Sequence, residues 1–392
     1  MVNATTAGLV GVVLLARHGD RTEYNQDPYT YNSTQGYLTP LGSVQQFELG
    51  SFLRSTYLNP DSPSYIQGIS ADVVDIDQLF VRADSGGGNV ILDSAYALLQ
   101  GLYPPSPQTS FTLANGTVVV PPLGGYQYVP VESLEFWQAP SLTSWMDCNY
   151  FQLHLARANQ TAEYLNASSQ ALPFLESVRP YLNGISNNFT NMWNIYDYIN
   201  VRYTHNKTFY ENLPETLLYQ ARHFANIHQE LTFTDGVQLQ NGIGQIAIRT
   251  VLPEIFASLT NMTVPENKVK LAITELDYKQ FISLFNVTNA TTYDPEVVGI
   301  PDYNSVVALE LSKDTDHYEV SMKFKNGTND KDFRQLKLFG NTSITLPELI
   351  QQLDWTTVNT TMSWCFSCNQ TTLRGCSAYN FSQDPFISGD RP

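Results

Sequence analysis

The sequence predicts an α/β fold with a mainly parallel sheet, and three observations carry that expectation. The run Leu9 to Ala16 (Leu-Val-Gly-Val-Val-Leu-Leu-Ala) is strand-sized and apolar throughout, as suits a central parallel strand covered on both faces. Strand-like and helix-like segments alternate on either side of a long helical stretch, the order that builds a parallel sheet under helices. The chain has 392 residues, 42% of them apolar, which is enough for a large core and an insertion.

In order, the first strand runs into Arg17-His18-Gly19-Asp20-Arg21. Thr39 then reads as an N-cap with Pro40 at the first helical position, and Val44, Phe47 and Phe52 give that helix an apolar face to about Tyr57. A second strand is predicted at Gln78 to Arg82. A glycine turn (Gly86-Gly87-Gly88-Asn89) and a helix from Val90 to Gly101 follow. Residues 130–235 are aromatic and helical in pattern and read as a cap inserted into a core made of residues 1–129 and 236–392. Residues 240–259 read as a helix, Val269 to Ile273 as a strand and Leu276 to Phe285 as a helix. Ser305 to Leu311 and Tyr318 to Phe324 read as two antiparallel strands. Parallel sheets place ligands at the carboxyl ends of their strands, and His18 sits at such an end.

Composition excludes several function classes. With 37 acidic against 21 basic side chains the net charge is −16, which repels nucleic acid and anionic membranes. No apolar run approaches the ~20 residues of a membrane span. Sequons N-x-S/T recur at Asn3, Asn32, Asn115, Asn159, Asn166, Asn188, Asn206, Asn261, Asn286, Asn289, Asn326, Asn341, Asn359, Asn369 and Asn380. That density points to N-linked glycans and a secreted protein, whose leader is absent from the sequence. Cys148, Cys365, Cys368 and Cys376 suggest two disulfides, with three possible connectivities. A staple from the C-terminal tail to Cys148 is preferred over a zinc or thioredoxin-like reading of the C-x-x-C pair.

The chemistry concentrates at Arg17-His18-Gly19-Asp20-Arg21. A phosphoryl acceptor needs a neutral imidazole in line with phosphorus and cations around the equatorial oxygens. Here two arginines flank the imidazole, and Arg forks match phosphate geometry. The run resembles the R-H-G-x-R-x-P signature of the histidine acid phosphatases, in particular the fungal secreted acid phosphatase and phytase branch. Leu38-Thr39-Pro40-Leu41-Gly42 with Glu48-Leu49-Gly50 is similar to that family's first helix, and Ser94-Ala95 with Gly101-Leu102-Tyr103-Pro104-Pro105 to its second. Glu310-Leu311, Tyr318 and Asn326-Gly327 resemble its late hairpin. The resemblance implies a Rossmann-like, phosphoglycerate-mutase-like α/β domain with a helical cap. It also implies hydrolysis of phosphomonoesters through a phosphohistidine, without metal or other cofactor.

Residue by residue, the resemblance implies His18 as nucleophile and Arg17, Arg21 and Arg82 as phosphate ligands. Asp20, Thr22, Glu23, Thr274 and Asn89 are expected around the pocket. Three departures stand out. Glu23 replaces the signature's closing proline. No arginine occupies Gly86 to Val90, where the family has a further phosphate ligand; the glycine amides there either form an anion nest instead or belong to a plain flexible loop. Thr274-Glu275 falls where the family carries a His-Asp pair. Helix periodicity favours Glu275 over Asp277 as the proton donor, because the alternative puts Gln280 and Ser283 on the buried face. Asp84 and Asp93, near the glycine turn, either face the pocket or lie on the helix surface, and the surface is preferred. His154, His205, His223, His228 and His317 lack metal-ligand spacing and read as structural. The leading function is an acid phosphatase for small phosphomonoesters. A phytase and a catalytically altered member, either a non-phosphatase hydrolase or an anion or sugar binder, are the alternatives.

Overall fold

The structure is a computed structural model that describes residues 8–379, except 28, 30–33, 35, 87–88, 136, 138, 236–241 and 315–316. Its centre is an eight-stranded sheet. The strands are β1 (Gly8–Arg17), β2 (Leu79–Asp84), β3 (Glu132–Leu134), β4 (Leu271–Leu276), β5 (Val306–Asp314), β6 (His317–Lys325), β7 (Arg334–Leu336) and β8 (Ser343–Thr345). They lie in the order β8-β6-β5-β1-β4-β2-β3, with β7 also beside β6. β1, β4, β2 and β3 pair in parallel, whereas β5, β6, β7 and β8 pair antiparallel. The sheet is therefore mixed rather than mainly parallel. β5 and β6 follow one another with two residues between, and so short a connection permits only an antiparallel pair.

Helices cover both faces. On one side α1 (Pro40–Leu53) and α2 (Val90–Leu102) pack Leu49, Leu53, Leu98 and Leu102 against Leu14, Ala16 and Ile273. On the other, α7 (Leu252–Met262) and α8 (Lys279–Val287) pack Leu259, Phe281 and Phe285 against Val13, Leu15 and Leu276. At roughly 1.5–3 kcal/mol for each fully buried large apolar side chain, these two layers hold β1 rigidly from both faces. The middle of the chain supplies α3 (Asn149–Ala158), α4 (Ala162–Val178), α5 (Met192–His205) and α6 (Glu215–Phe233). The last three share a cluster of their own that includes Phe174, Ile195, Ile199 and Ala221.

Several boundaries differ from the sequence reading. The Thr39 cap and Pro40 start of α1 hold, with Thr39 Oγ1 accepting from the Gly42 amide. Its buried face is instead Gln46, Leu49, Gly50 and Leu53, and Val44 and Phe47 are exposed. The helix expected over 240–259 is broken at Thr250-Val251, and α7 restarts with Pro253 in its first turn. Two disulfides close, Cys148–Cys368 and Cys365–Cys376, so the two cysteines of the C-x-x-C pair belong to different bridges. The first bridge ties α10 (Thr361–Cys368) to the start of α3, as the preferred staple required; α9 (Leu346–Leu353) precedes it. Among the described residues, no helix is long and apolar enough to cross a membrane.

Candidate active site

β1 ends at Arg17, and the next four residues leave the sheet at the carboxyl end of its parallel half. The His18 amide donates to the Leu276 carbonyl (3.4 Å), and its own carbonyl accepts from the Asn304 amide (3.1 Å). The loop is thus fastened to the end of β4 and to the turn before β5. Gly19 is required by close approach, since a Cβ there would lie 2.5 Å from the Gly42 carbonyl oxygen. The loop rests on the first turn of α1, and the Gly19 amide donates to Ser94 Oγ of α2 (3.1 Å).

His18 is almost fully buried, with Nδ1 2.9 Å from the Gly19 carbonyl oxygen. A carbonyl only accepts, so Nδ1 carries the hydrogen and Nε2 keeps its lone pair. Burial, then the charges of Arg17 and Arg21, push the imidazole pKa down to about 3. The ring is therefore neutral even in mild acid. Arg17 donates to the Pro301 carbonyl, and its guanidinium lies over the rings of Tyr278 (5.1 Å) and Tyr303 (4.4 Å). Arg21 makes a fork with Asp197 of α5, at 2.8 and 3.1 Å, which ties the helical segment to the loop. Asp197 also accepts from the Tyr24 amide (3.1 Å) and from the Tyr303 hydroxyl (3.3 Å).

These residues line a cavity of about 350 Å³. Asp84, Asp277 and Lys279 bring further charge to it, and Trp145, Trp193, Tyr196, Tyr278 and Tyr303 form aromatic walls. Asp20 also lines it. Its carboxylate accepts from Thr39 Oγ1 and is paired with His205 Nε2 at 2.6 Å, so His205 joins α5 to the loop.

Other expected site residues lie elsewhere. Arg82 is paired with Glu132 (2.7 Å) and Glu254, and Thr274 donates to the same Glu254 (3.2 Å). The register Arg82↔Thr274 puts both on one face, and Arg82 lines a separate cleft of about 540 Å³ rather than the cavity around His18. Thr22 is exposed and accepts from the Tyr37 amide, and Glu23 is exposed and paired with Arg202 at 2.7 Å. Asn89 is exposed, in the left-handed conformation before α2. None of these three lines the cavity. Gly86 does line it, but Gly87 and Gly88 of the expected anion nest lie outside the described residues.

The two candidate proton donors lie differently from the sequence reading. Glu275 is opposite Ala16 and Ala83 in the sheet, on the face covered by α1 and α2. It is fully buried, neither carboxylate oxygen has a hydrogen-bond partner among the described residues, and burial alone pushes its pKa up to about 8. Asp277, beyond the strand end, lines the cavity instead. Burial works to raise its pKa, but Lys279, His18 and Arg17 outweigh that and hold it well below the usual carboxylate range. The periodicity argument failed because every residue from Lys279 to Phe285 is buried. Gln280 Nε2 and Ser283 Oγ donate there to the Leu142 (2.7 Å) and Phe233 (2.9 Å) carbonyls. Asp84, expected on the surface, ends β2 inside the cavity, and burial with the Asp277 charge raises its pKa to about 7. Asp93 is exposed as expected.

No family model matches the chain. Lysosomal acid phosphatase of Homo sapiens is 26% identical over 331 residues, covering 80% of this chain and 70% of its own length. Prostatic acid phosphatase of Mus musculus is 23% identical over 333 residues, covering 82% and 80%. Among solved structures, Hafnia alvei phytase superposes with a TM-score of 0.61 at 15% identity over 90% of this chain and 98% of its own. The phytase from D. castellii gives 0.54 at 11% identity, over 100% and 88%. In sequence the chain is thus similar to acid phosphatases, and in fold to phytases. Asp197, Tyr303 and Lys279 line the cavity and were missed by the sequence reading. Asp197 and Tyr303 carry no local signal. Lys279 carries a faint one, a lysine two positions after Asp277 at the head of an otherwise apolar helix.

Proposed function

We propose that the protein hydrolyses phosphomonoesters through a phosphohistidine at His18. The observation that carries this is a neutral, tautomer-locked imidazole between two arginines in an aromatic cavity, with Asp277 beside it. His18 Nε2 attacks phosphorus and the ester P–O bond breaks, while Arg17 and Arg21 hold the equatorial oxygens. Asp277 protonates the leaving oxygen, then takes a proton from the water that cleaves the N–P bond. The acid phosphatases to which the chain is similar support the same reading.

The substrate is a small monoester with an apolar or aromatic alcohol, rather than an inositol polyphosphate. Arg17 and Arg21 lie within electrostatic reach of Lys279, and Arg222, also on the lining, is committed to Asp302. Residues 130–235 act as the cap and supply Trp145, Trp193 and Tyr196 of the aromatic walls. In a panel of aryl, alkyl and inositol phosphates, the purified protein is expected to turn over aryl and alkyl monophosphates fastest. Preference for inositol hexakisphosphate would reject the substrate assignment, and no phosphate release from any monoester would reject the enzyme.

Passage through a secretory pathway is part of the same proposal. Sequon asparagines within the described residues are all exposed or half-buried, and Asn3, Asn32 and Asn380 lie outside them. Material from a eukaryotic secretory host is expected to exceed the 44.0 kDa of the bare chain, to lose the excess to a glycosidase and to hold no free thiol. A bare mass with reactive cysteines contradicts this.

A further inference from the structure

Lys279 opens α8, is fully buried and lines the cavity that holds His18. Its ammonium pairs with Asp277 and lies over the rings of Trp145 (5.1 Å) and Tyr278 (4.5 Å). Taking a lysine out of water costs several kcal/mol unless its charge is matched, and an apolar residue would suit a purely structural position better. Arg17 and Arg21 are close enough to add to the downward pull of burial on its pKa. Three cations thus converge where two were evident from sequence. Arg21 is already committed to the Asp197 fork and Arg17 to the Pro301 carbonyl.

Asp277 faces the same space, next to His18, where the oxygens of a phosphoryl group must come. Two anions cannot share that space without a cation between them. Nor does an aspartate locked to a lysine have a proton to give. We propose that Lys279 is a phosphate-binding residue that changes partner from Asp277 to the phosphoryl oxygens as substrate enters, releasing Asp277 to become the proton donor. The released carboxylate takes its proton from solvent or from the monoester, whose second ionisation is near 6. It passes that proton to the leaving oxygen as the His18 N–P bond forms and the ester P–O bond breaks. The donor half rests on the phosphatase reading, whereas the binding half stands without turnover.

Calorimetric titration of the full chain with inorganic phosphate tests it. D277N, which leaves Lys279 without its anion, is expected to bind phosphate more tightly than wild type. K279M is expected to bind about 10- to 100-fold more weakly, the worth of one charge-assisted hydrogen bond. Because K279M strands a buried aspartate, the double variant K279M/D277N, which buries neither charge, is the decisive protein. Weaker binding by the double variant than by D277N supports the assignment. Equal binding by the two reduces Lys279 to a structural ion pair and overturns it, as does wild type that fails to bind phosphate. Wild type that binds phosphate but cleaves no monoester removes the donor half along with the phosphatase reading, while the variant series still decides the binding half.

Discussion

Replacing His18 by alanine is expected to lower turnover of every phosphomonoester by about 10³-fold or more, the scale of losing a covalent nucleophile. The melting temperature should stay close to wild type. Among the described residues the imidazole's one hydrogen bond is to the adjacent Gly19 carbonyl, and burial of a neutral histidine is itself costly below its ordinary pKa of 6.5. Acid-quenched wild-type protein should carry one phosphoryl group on His18 during turnover, and the alanine variant none. The pH dependence has a definite sign. With its pKa pushed down to about 3, the nucleophile stays neutral through mild acid and is lost only as pH falls through about 3. Residual activity of the variant above a thousandth of wild type would mean a direct attack by water.

The second large effect separates two carboxylates that stand two residues apart. Asp277→Asn is expected to slow alkyl phosphates by about 10²–10⁴-fold, the usual worth of acid catalysis, and phenyl phosphates with good leaving groups far less. Glu275→Gln is expected to leave both rates unchanged and to act on stability alone. Its folded-state pKa, about 8, lies above the ordinary 4.5, so its stabilising contribution is complete below about 4.5 and is lost as pH rises through 8. Glutamine never ionises. The variant should therefore melt higher than wild type at pH 8.5, by an order of a few kcal/mol in stability at about 1.4 kcal/mol per pKa unit. Slow alkyl turnover in Glu275→Gln together with normal rates in Asp277→Asn would invert the assignment.

Much of the frame could be read directly from residues. β1 announced itself because a strand buried on both faces must be apolar at every position, and Thr39-Pro40 announced α1 because capping chemistry is local. Arg17, His18 and Arg21 were legible for the same reason, as neighbours in sequence. The acid was not, because a helix buried all round has no polar side from which to read direction. Gln280 and Ser283 find backbone carbonyls that no pattern reveals. Arg82 looked like a ligand until Glu132 and Glu254, brought by distant elements, neutralised it. Asp197 and Tyr303 reach the site only through tertiary folding, and Asp84 was misplaced because β2 runs two residues beyond the end at Arg82 expected from sequence.

The position of β1 also bears on how the protein is made. It is the first strand among the described residues, and its hydrogen-bonded neighbours are β4 and β5, which begin at Leu271 and Val306. At roughly 5–20 residues per second, the ribosome needs on the order of ten to fifty seconds after Arg17 before the first of those neighbours exists. Throughout that interval the run from Val12 to Leu15 has no sheet to join and must be sheltered from other nascent chains. The sequons from Asn115 to Asn261 are all translated in the same interval. Sugar transfer would meet them on a chain whose central sheet has not yet formed, so glycosylation need not compete with completion of the fold.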